Sequence, residues 1–205
     1  MKFSIISTFV LLGSALAAPA PVQKRGVTES IGLIVNTLNN TVTTNLGQIN
    51  GLVSDVQQNV EASVQVAAQV GADFQAIAAA LTTAAAGITA ATTAGIGGVA
   101  GQAIGLTNDQ IRALTQSVRD AQALIQNIRA TITLTATNLT PAALATIQAE
   151  IDAAMAAIAP FTGPLTTFAQ AVSAARFDLG IVVTGLNAAV TGLTSILTGL
   201  LGGIL

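Results

Sequence analysis

The chain contains no cysteine, histidine, tryptophan or tyrosine, and charged residues make up only 8% of its 205 positions. Each absence excludes something. Without cysteine there is no disulfide framework, on which small exported domains commonly rely, so stability has to come from a buried core. The same absence excludes a hydrophobin, whose surface activity depends on its cysteines. Without histidine or cysteine, the usual zinc ligands, thiol nucleophiles and neutral-pH bases are missing. No G-x-S-x-G elbow occurs. Nine carboxylates remain, at Glu29, Asp55, Glu61, Asp73, Asp109, Asp120, Glu150, Asp152 and Asp178. They are scattered; even Glu150 and Asp152, two apart, point to different sides of a helix. The chain therefore reads as a non-enzyme with no cofactor and no metal site.

Basic residues are also few, and the N-terminus holds three of the seven. Lys2, the mostly apolar residues 3–12 and the small-x-small triplet Ala15-Leu16-Ala17 read as a secretory signal, residues 1–17, cleaved after Ala17. APAPVQKR follows at residues 18–25, a Pro-rich stub ending in the dibasic pair Lys24-Arg25. Processing there predicts a mature domain, 26–205, with four basic residues against nine acidic ones, net −5, and no lysine. Binding to a phosphate backbone needs clustered cations, so nucleic acid is excluded as a partner. Asn39-Asn40-Thr41 and Asn138-Leu139-Thr140 are sequons, making Asn39 and Asn138 the expected glycosylation sites of a secreted chain.

What is present is aliphatic: 52% of residues are hydrophobic but only 3% aromatic. The apolar residues recur at three- and four-residue steps, the period of an amphipathic helix. One such stripe runs Ile31, Val35, Leu38, Val42, Leu46, Ile49, Val53, Val56, Val60, Val64, Ala67, Val70, Phe74, Ile77, Leu81. An unbroken helix of that span would be roughly 75 Å long at ~1.5 Å per residue, so a break is expected, at Gly47–Gly51 or at Gly71–Asp73. Thr107 with Gln110 has the form of a capping box before Ile111, Leu114, Val118, Ala121, Ile125, Ile128 and Ile132. TITLTAT at 131–137 alternates with period two; with no second strand to pair with, it reads as a helix end running into a loop. Thr140-Pro141 starts the next helix, with Pro at its first position. Pro160, Gly163 and Pro164 are expected to end it. A last stripe then runs in register from Leu165 to Leu200. The fold expected is an all-α bundle of four to six amphipathic helices, with an elongated form left open.

Two stretches lack charge altogether. Residues 74–108 hold glycines four apart at Gly97, Gly101 and Gly105, read as a buried Ala-rich helix plus a Gly-rich loop. GIGGVAG half-matches a dinucleotide loop, but no strand precedes it. Residues 184–205 repeat Thr-Gly-Leu every seven residues. There Leu186, Val190, Leu193, Leu197 and Leu200 fall on one helix face, with Gly185, Gly192 and Gly199 beside it. Glycine ridges let backbones approach closely and leave self-association open. A Val/Leu/Ala bundle with few charges has outer faces that desolvate cheaply. The expected contact residues for an apolar surface or lipid are Leu186, Val190, Leu193, Leu197 and Leu200, then Ile77, Leu81, Ile88 and Ile96.

This pattern resembles the hydrophobic surface-binding protein A family, the cell-wall galactomannoproteins of filamentous fungi. The resemblance rests on the signal, the APAPVQKR stub and the Cys-free Ala/Thr/Leu/Val composition. Serial helices such as IGLIVNTLNNTVTTNLGQINGLVSDV and LTNDQIRALTQSVRDAQALIQNI add to it. It implies a secreted, glycosylated, extracellular or wall-associated helical bundle. Family members adsorb to apolar surfaces, some recruiting secreted hydrolases there, or hold fatty-acid-like lipids between helices. Two other readings stand beside it. One is a structural wall protein with a GPI anchor attached at Asn187. The other is a membrane-active protein in which residues 74–106 and the tail insert.

Overall fold

A computed structural model describes residues 26–58, 62–94 and 97–202, and among them no strand occurs. The processing residues Ala17, Lys24 and Arg25, and Ile96, lie outside the described residues, as does the Leu200 side chain. The helices are α1 (Val27–Gln57), α2 (Ser63–Thr93), the short α3 (Gly98–Ile104), α4 (Asn108–Asn138), α5 (Pro141–Ala156), α6 (Ile158–Ala175) and α7 (Gly180–Gly202). A 3-10 turn, Phe177–Leu179, separates the last two. The all-α bundle expected from the periodicity is what forms, with six helices of 16 or more residues and one short one. Helices α1, α2 and α4 each have 31 residues, or about 46 Å at ~1.5 Å per residue, so the bundle is elongated.

The breaks fall elsewhere than the glycines suggest. Gly47, Gly51 and Gly71 are all helical; α1 ends at Gln57 and α2 begins at Ser63, with no Gly or Pro in the sequence between them. A helical glycine costs about 1 kcal/mol relative to alanine. Leu46, Ile49 and Val53, all buried around Gly47 and Gly51, outweigh that cost. Gly71 is a contact point instead, because a Cβ there would lie 3.1 Å from Cγ2 of Ile147 on α5.

The capping box at the start of α4 forms. Thr107 Oγ1 accepts from the Gln110 amide at 3.3 Å, and Gln110 Oε1 accepts from the Thr107 amide at 2.9 Å. Thr140 likewise caps α5, its Oγ1 accepting from the Ala143 amide at 3.4 Å, with Pro141 as the first helical residue. TITLTAT, expected to leave the helix, stays in it to Asn138. Thr131 and Thr135 lie four apart on the buried face, and the Thr135 hydroxyl donates to the Thr131 carbonyl at 2.8 Å. That bond lets a buried hydroxyl keep helical geometry.

The expected stop at Pro160–Pro164 moves to Ala157, and α6 contains all three breakers. Pro160 sits in the first turn of α6, where its missing N–H costs nothing. Pro164 forfeits an intrahelical bond, offset by full burial of Phe161, Leu165 and Phe168 on the same helix. The last stripe is not one helix either. It folds back at Arg176–Leu179.

Topology follows from a few contacts. Ile34 lies against Gly87, so α1 and α2 are neighbours in a hairpin. Gln57 donates to Asn138 Oδ1 at 2.6 Å, placing the ends of α1 and α4 together. Helices α2 and α5 both set out from that end, and α5–α6 returns beside α2. Helix α7 runs parallel to α4, with Gly192 against Gln122 and Gly199 near Arg129. The core contains three fully buried phenylalanines, Phe74, Phe161 and Phe168, among aliphatic side chains from all six long helices.

Candidate functional site

The stripes that suggested surplus apolar surface are largely the core. Ile77, Leu81, Ile88, Leu186, Val190 and Leu193 are buried, and Leu197 is half-buried against the same cluster. In the folded bundle they are interior residues and not a contact face. The reason is geometric: α2 touches α1, α5 and α6, and α7 touches α4 and α6, so each stripe meets two or more neighbours. The α7 glycine ridge is used inside the molecule too. At Gly192 it admits Gln122, whose Nε2 donates to the Ala189 carbonyl at 2.9 Å. In the Gly-rich centre, Gly97 and Gly98 have φ of 85° and 56°, left-handed values that glycine adopts without strain, and they turn the chain into α3.

Val64, in the first turn of α2 at the other end of the bundle, is 66% exposed although it continues the apolar stripe, and Leu33 and Leu134 are exposed singly on α1 and α4. The two most exposed large apolar residues, however, lie together at one end. Of the four phenylalanines described, three are fully buried, and Phe177, on the turn between α6 and α7, is 80% exposed. Ile181, in the first turn of α7, is 92% exposed. Ile104, the last residue of α3, is 64% exposed. Arg176 ties these together. Its Nη1 donates to the Ile104 carbonyl at 3.3 Å and also to that of Leu106, holding α3 against the turn. Its Nε and Nη2 reach Asp178 at 3.2 and 3.4 Å, a two-point ion pair. The end of the bundle is thus an apolar trio around a charge pair that neutralises itself. Sequence reasoning missed it. The available signal was the position of Phe177 between two opposite charges, out of phase with the core stripe of α6.

The outer faces are polar in composition, but many of their threonine hydroxyls are not free donors. Exposed Thr41, Thr44, Thr82, Thr83, Thr133, Thr184 and Thr198 each donate their hydroxyl to a carbonyl one turn back, at 2.9–3.1 Å. That leaves methyl groups and acceptor lone pairs facing outward. Two shallow, open grooves lie along these faces. One, on α4, is lined by Gln126, Arg129, Ala130, Thr133, Leu134 and Thr137. The other, between α6 and α7, is lined by Gln170, Val190, Thr191, Thr194, Ser195, Thr198 and Gly199.

Ionisable groups form no constellation. Among the described residues no group of three or more metal-type ligands occurs. The ion pairs there are Arg112–Asp109 and Arg176–Asp178. Asp73 is the perturbed one: it is 8% exposed, its Oδ2 has no partner, and burial pushes its carboxyl up to about 6. It lies three residues after Val70 and four before Ile77, on the apolar face of α2, within the stretch Gly71–Asp73 expected to break the helix.

The modification residues are placed as follows. Asn39 is half-buried in mid-α1. Asn138, the last residue of α4, is engaged on both sides, by Gln57 and by a 2.7 Å bond from Nδ2 to the Leu134 carbonyl. Asn187 is exposed in mid-α7, and anchor attachment there would remove Ala189, Val190 and Leu193 from the core. Three helical stretches, Ser63–Thr93, Pro141–Ala175 and Phe177–Gly199, are long and apolar enough to cross a membrane. No family model, curated protein or solved structure matches this chain.

Proposed function

We propose that this is a secreted, non-catalytic, wall-associated protein that adheres to apolar surfaces or lipid through the end of its bundle formed by Ile104, Phe177 and Ile181. The reading keeps the functional class implied by the resemblance to hydrophobic surface-binding proteins and relocates the contact. Export rests on the signal-like residues 1–17 and the dibasic stub. The observation that carries adhesion is the near-complete exposure of Phe177 and Ile181 in a chain that buries its other described phenylalanines. Monomeric surfaces tolerate single exposed apolar side chains, but grouped ones mark contact sites. The surrounding faces support adhesion as well, since back-bonded threonines and few charges cost little to dehydrate.

The magnitude is testable. Phe177 and Ile181 together expose about 1.7 side-chain equivalents. Full burial of such a side chain stabilises by about 2 kcal/mol. A flat surface reaches about half of the exposed area, giving about 1.5–2 kcal/mol, or roughly 10- to 30-fold in partition. Purified protein lacking residues 1–25 is expected to be retained on alkyl-coated beads. The double variant Phe177→Ser/Ile181→Ser should lose retention by that factor while keeping its helical circular dichroism. Equal retention of the variant, or wild-type retention no better than a polar helical protein of the same size, overturns the proposal.

A further inference from the structure

We infer that α6 and α7 form a hairpin that inserts into a lipid bilayer turn first, led by Phe177 and Ile181; the inference rests on the lipid arm of the reading above. Four observations converge on it. The first is charge. Across residues 153–205 the only ionised side chains are Arg176 and Asp178. Both lie at the turn and are paired with each other, so the leading end enters without an unpaired charge.

The second is length. The 18 residues of α6 and the 23 of α7 correspond to about 27 and 35 Å, bracketing the ~30 Å hydrocarbon core of a bilayer. The third is the hydroxyl chemistry of the arms. Thr162, Ser173, Thr184, Thr194 and Thr198 donate to carbonyls one turn back, as the Thr166 hydroxyl also does, so these six groups need no water as they enter, whereas Thr167, Gln170, Asn187, Thr191 and Ser195 have no such bond and would have to find partners across the hairpin. The fourth is where the exposed apolar residues are. Within α6, the turn and α7, the exposed large apolar residues among those described are Phe177 and Ile181, at the turn, where a wedge is needed, and not along the arms.

A bilayer also fits this end better than a protein partner does. Three apolar side chains are far short of the ~20–30 residues a side that a stable protein interface uses. Insertion draws instead on the whole length of both arms. It separates α7 from α4 and α6 from α2 and α3, breaking the Gln122–Ala189 bond and the bonds of Arg176 to the Ile104 and Leu106 carbonyls, and exchanges a protein interior for acyl chains around Phe161, Phe168, Leu186 and Leu193.

The chain has no tryptophan and no cysteine, which gives a clean test. Thr167→Trp places a single fluorophore at an exposed site in the middle of α6, the part of the arm that insertion brings to the midplane. With phosphatidylcholine vesicles, its emission should shift to shorter wavelength. Bromines near the midplane, ~15 Å deep, should quench it about twofold more than bromines under the headgroups. Leu33→Trp, on α1, should show neither effect. In Thr167→Trp/Gln122→Cys/Gly192→Cys, a disulfide between α4 and α7 should abolish deep quenching, and reduction should restore it. Bead retention should be unaffected by the crosslink. Quenching by shallow bromines only, or deep quenching that survives the crosslink, overturns insertion while leaving adhesion standing. Failure to bind either beads or vesicles overturns both.

Discussion

Replacing Asp73 by asparagine should stabilise the protein at neutral pH and do so much less in acid. The carboxyl sits on the core face of α2 between Val70 and Ile77, 8% exposed, with Oδ2 unpartnered. Burial raises its pKa from 3.8 to about 6. A carboxyl whose folded pKa lies above its unfolded value binds a proton more tightly in the folded state. Stability is therefore greatest below about pH 3.8, falls as pH rises toward 6, and is flat above. The full shift corresponds to about 3 kcal/mol at ~1.36 kcal/mol per unit. Only Oδ2 of the carboxylate is sealed from solvent without a partner, so about 2 kcal/mol is the working figure. The substituted side chain would still bury an amide, but that cost does not vary with pH. The readout is the difference between variant and wild type in urea denaturation at pH 3.5 and pH 7.5, in which the other carboxylates cancel. Asp73→Asn should gain about 2 kcal/mol on the wild type between the two pH values. A difference that is the same at both would refute the assignment of a buried, proton-binding carboxyl to this position.

Two further outcomes test the packing. Leu193→Ala, at a fully buried position in α7, should cost about 2–5 kcal/mol in chemical denaturation, whereas a surface contact residue would cost almost nothing. Gly51→Ala fills open space about two turns before the end of α1 and should stabilise by about 0.5–1 kcal/mol; a loss there would mean that α1 is interrupted at that point.

Much of the secondary structure was legible because a helix repeats its buried face every three to four residues. The seven residues of α1 from Ile31 to Val53 are all buried, as their spacing requires. The caps at Thr107 and Thr140 were legible too, because they are local bonds between residues three apart. Breaks were not. Gly47, Gly51, Gly163 and Pro164 look like interruptions in isolation but stay helical, since tertiary burial of Ile49, Phe161 and Leu165 outweighs costs of about 1–3 kcal/mol per residue. Conversely, α1 ends at Gln57, where no breaker stands, while α5 ends at Ala156, four residues before Pro160, which cannot donate to that carbonyl. TITLTAT misled for a related reason: four threonines two apart imitate a strand, yet Thr131 and Thr135 bury the helix face while Thr133 and Thr137 stay outside.

The candidate site shows the same division. By itself the sequence determined that the protein is helical, that it has no histidine or cysteine, and that its exterior is poor in charge. These follow from composition and from a period set by backbone geometry. Only the tertiary structure decided which apolar residues stay wet. Leu186 and Phe177 are both large apolar side chains beside a polar neighbour, but one lies beneath α4 and α6 and the other sits on a turn that no other described helix covers. Burial depends on what another segment places opposite a residue, and that information is carried by the packing of helices far apart in the chain.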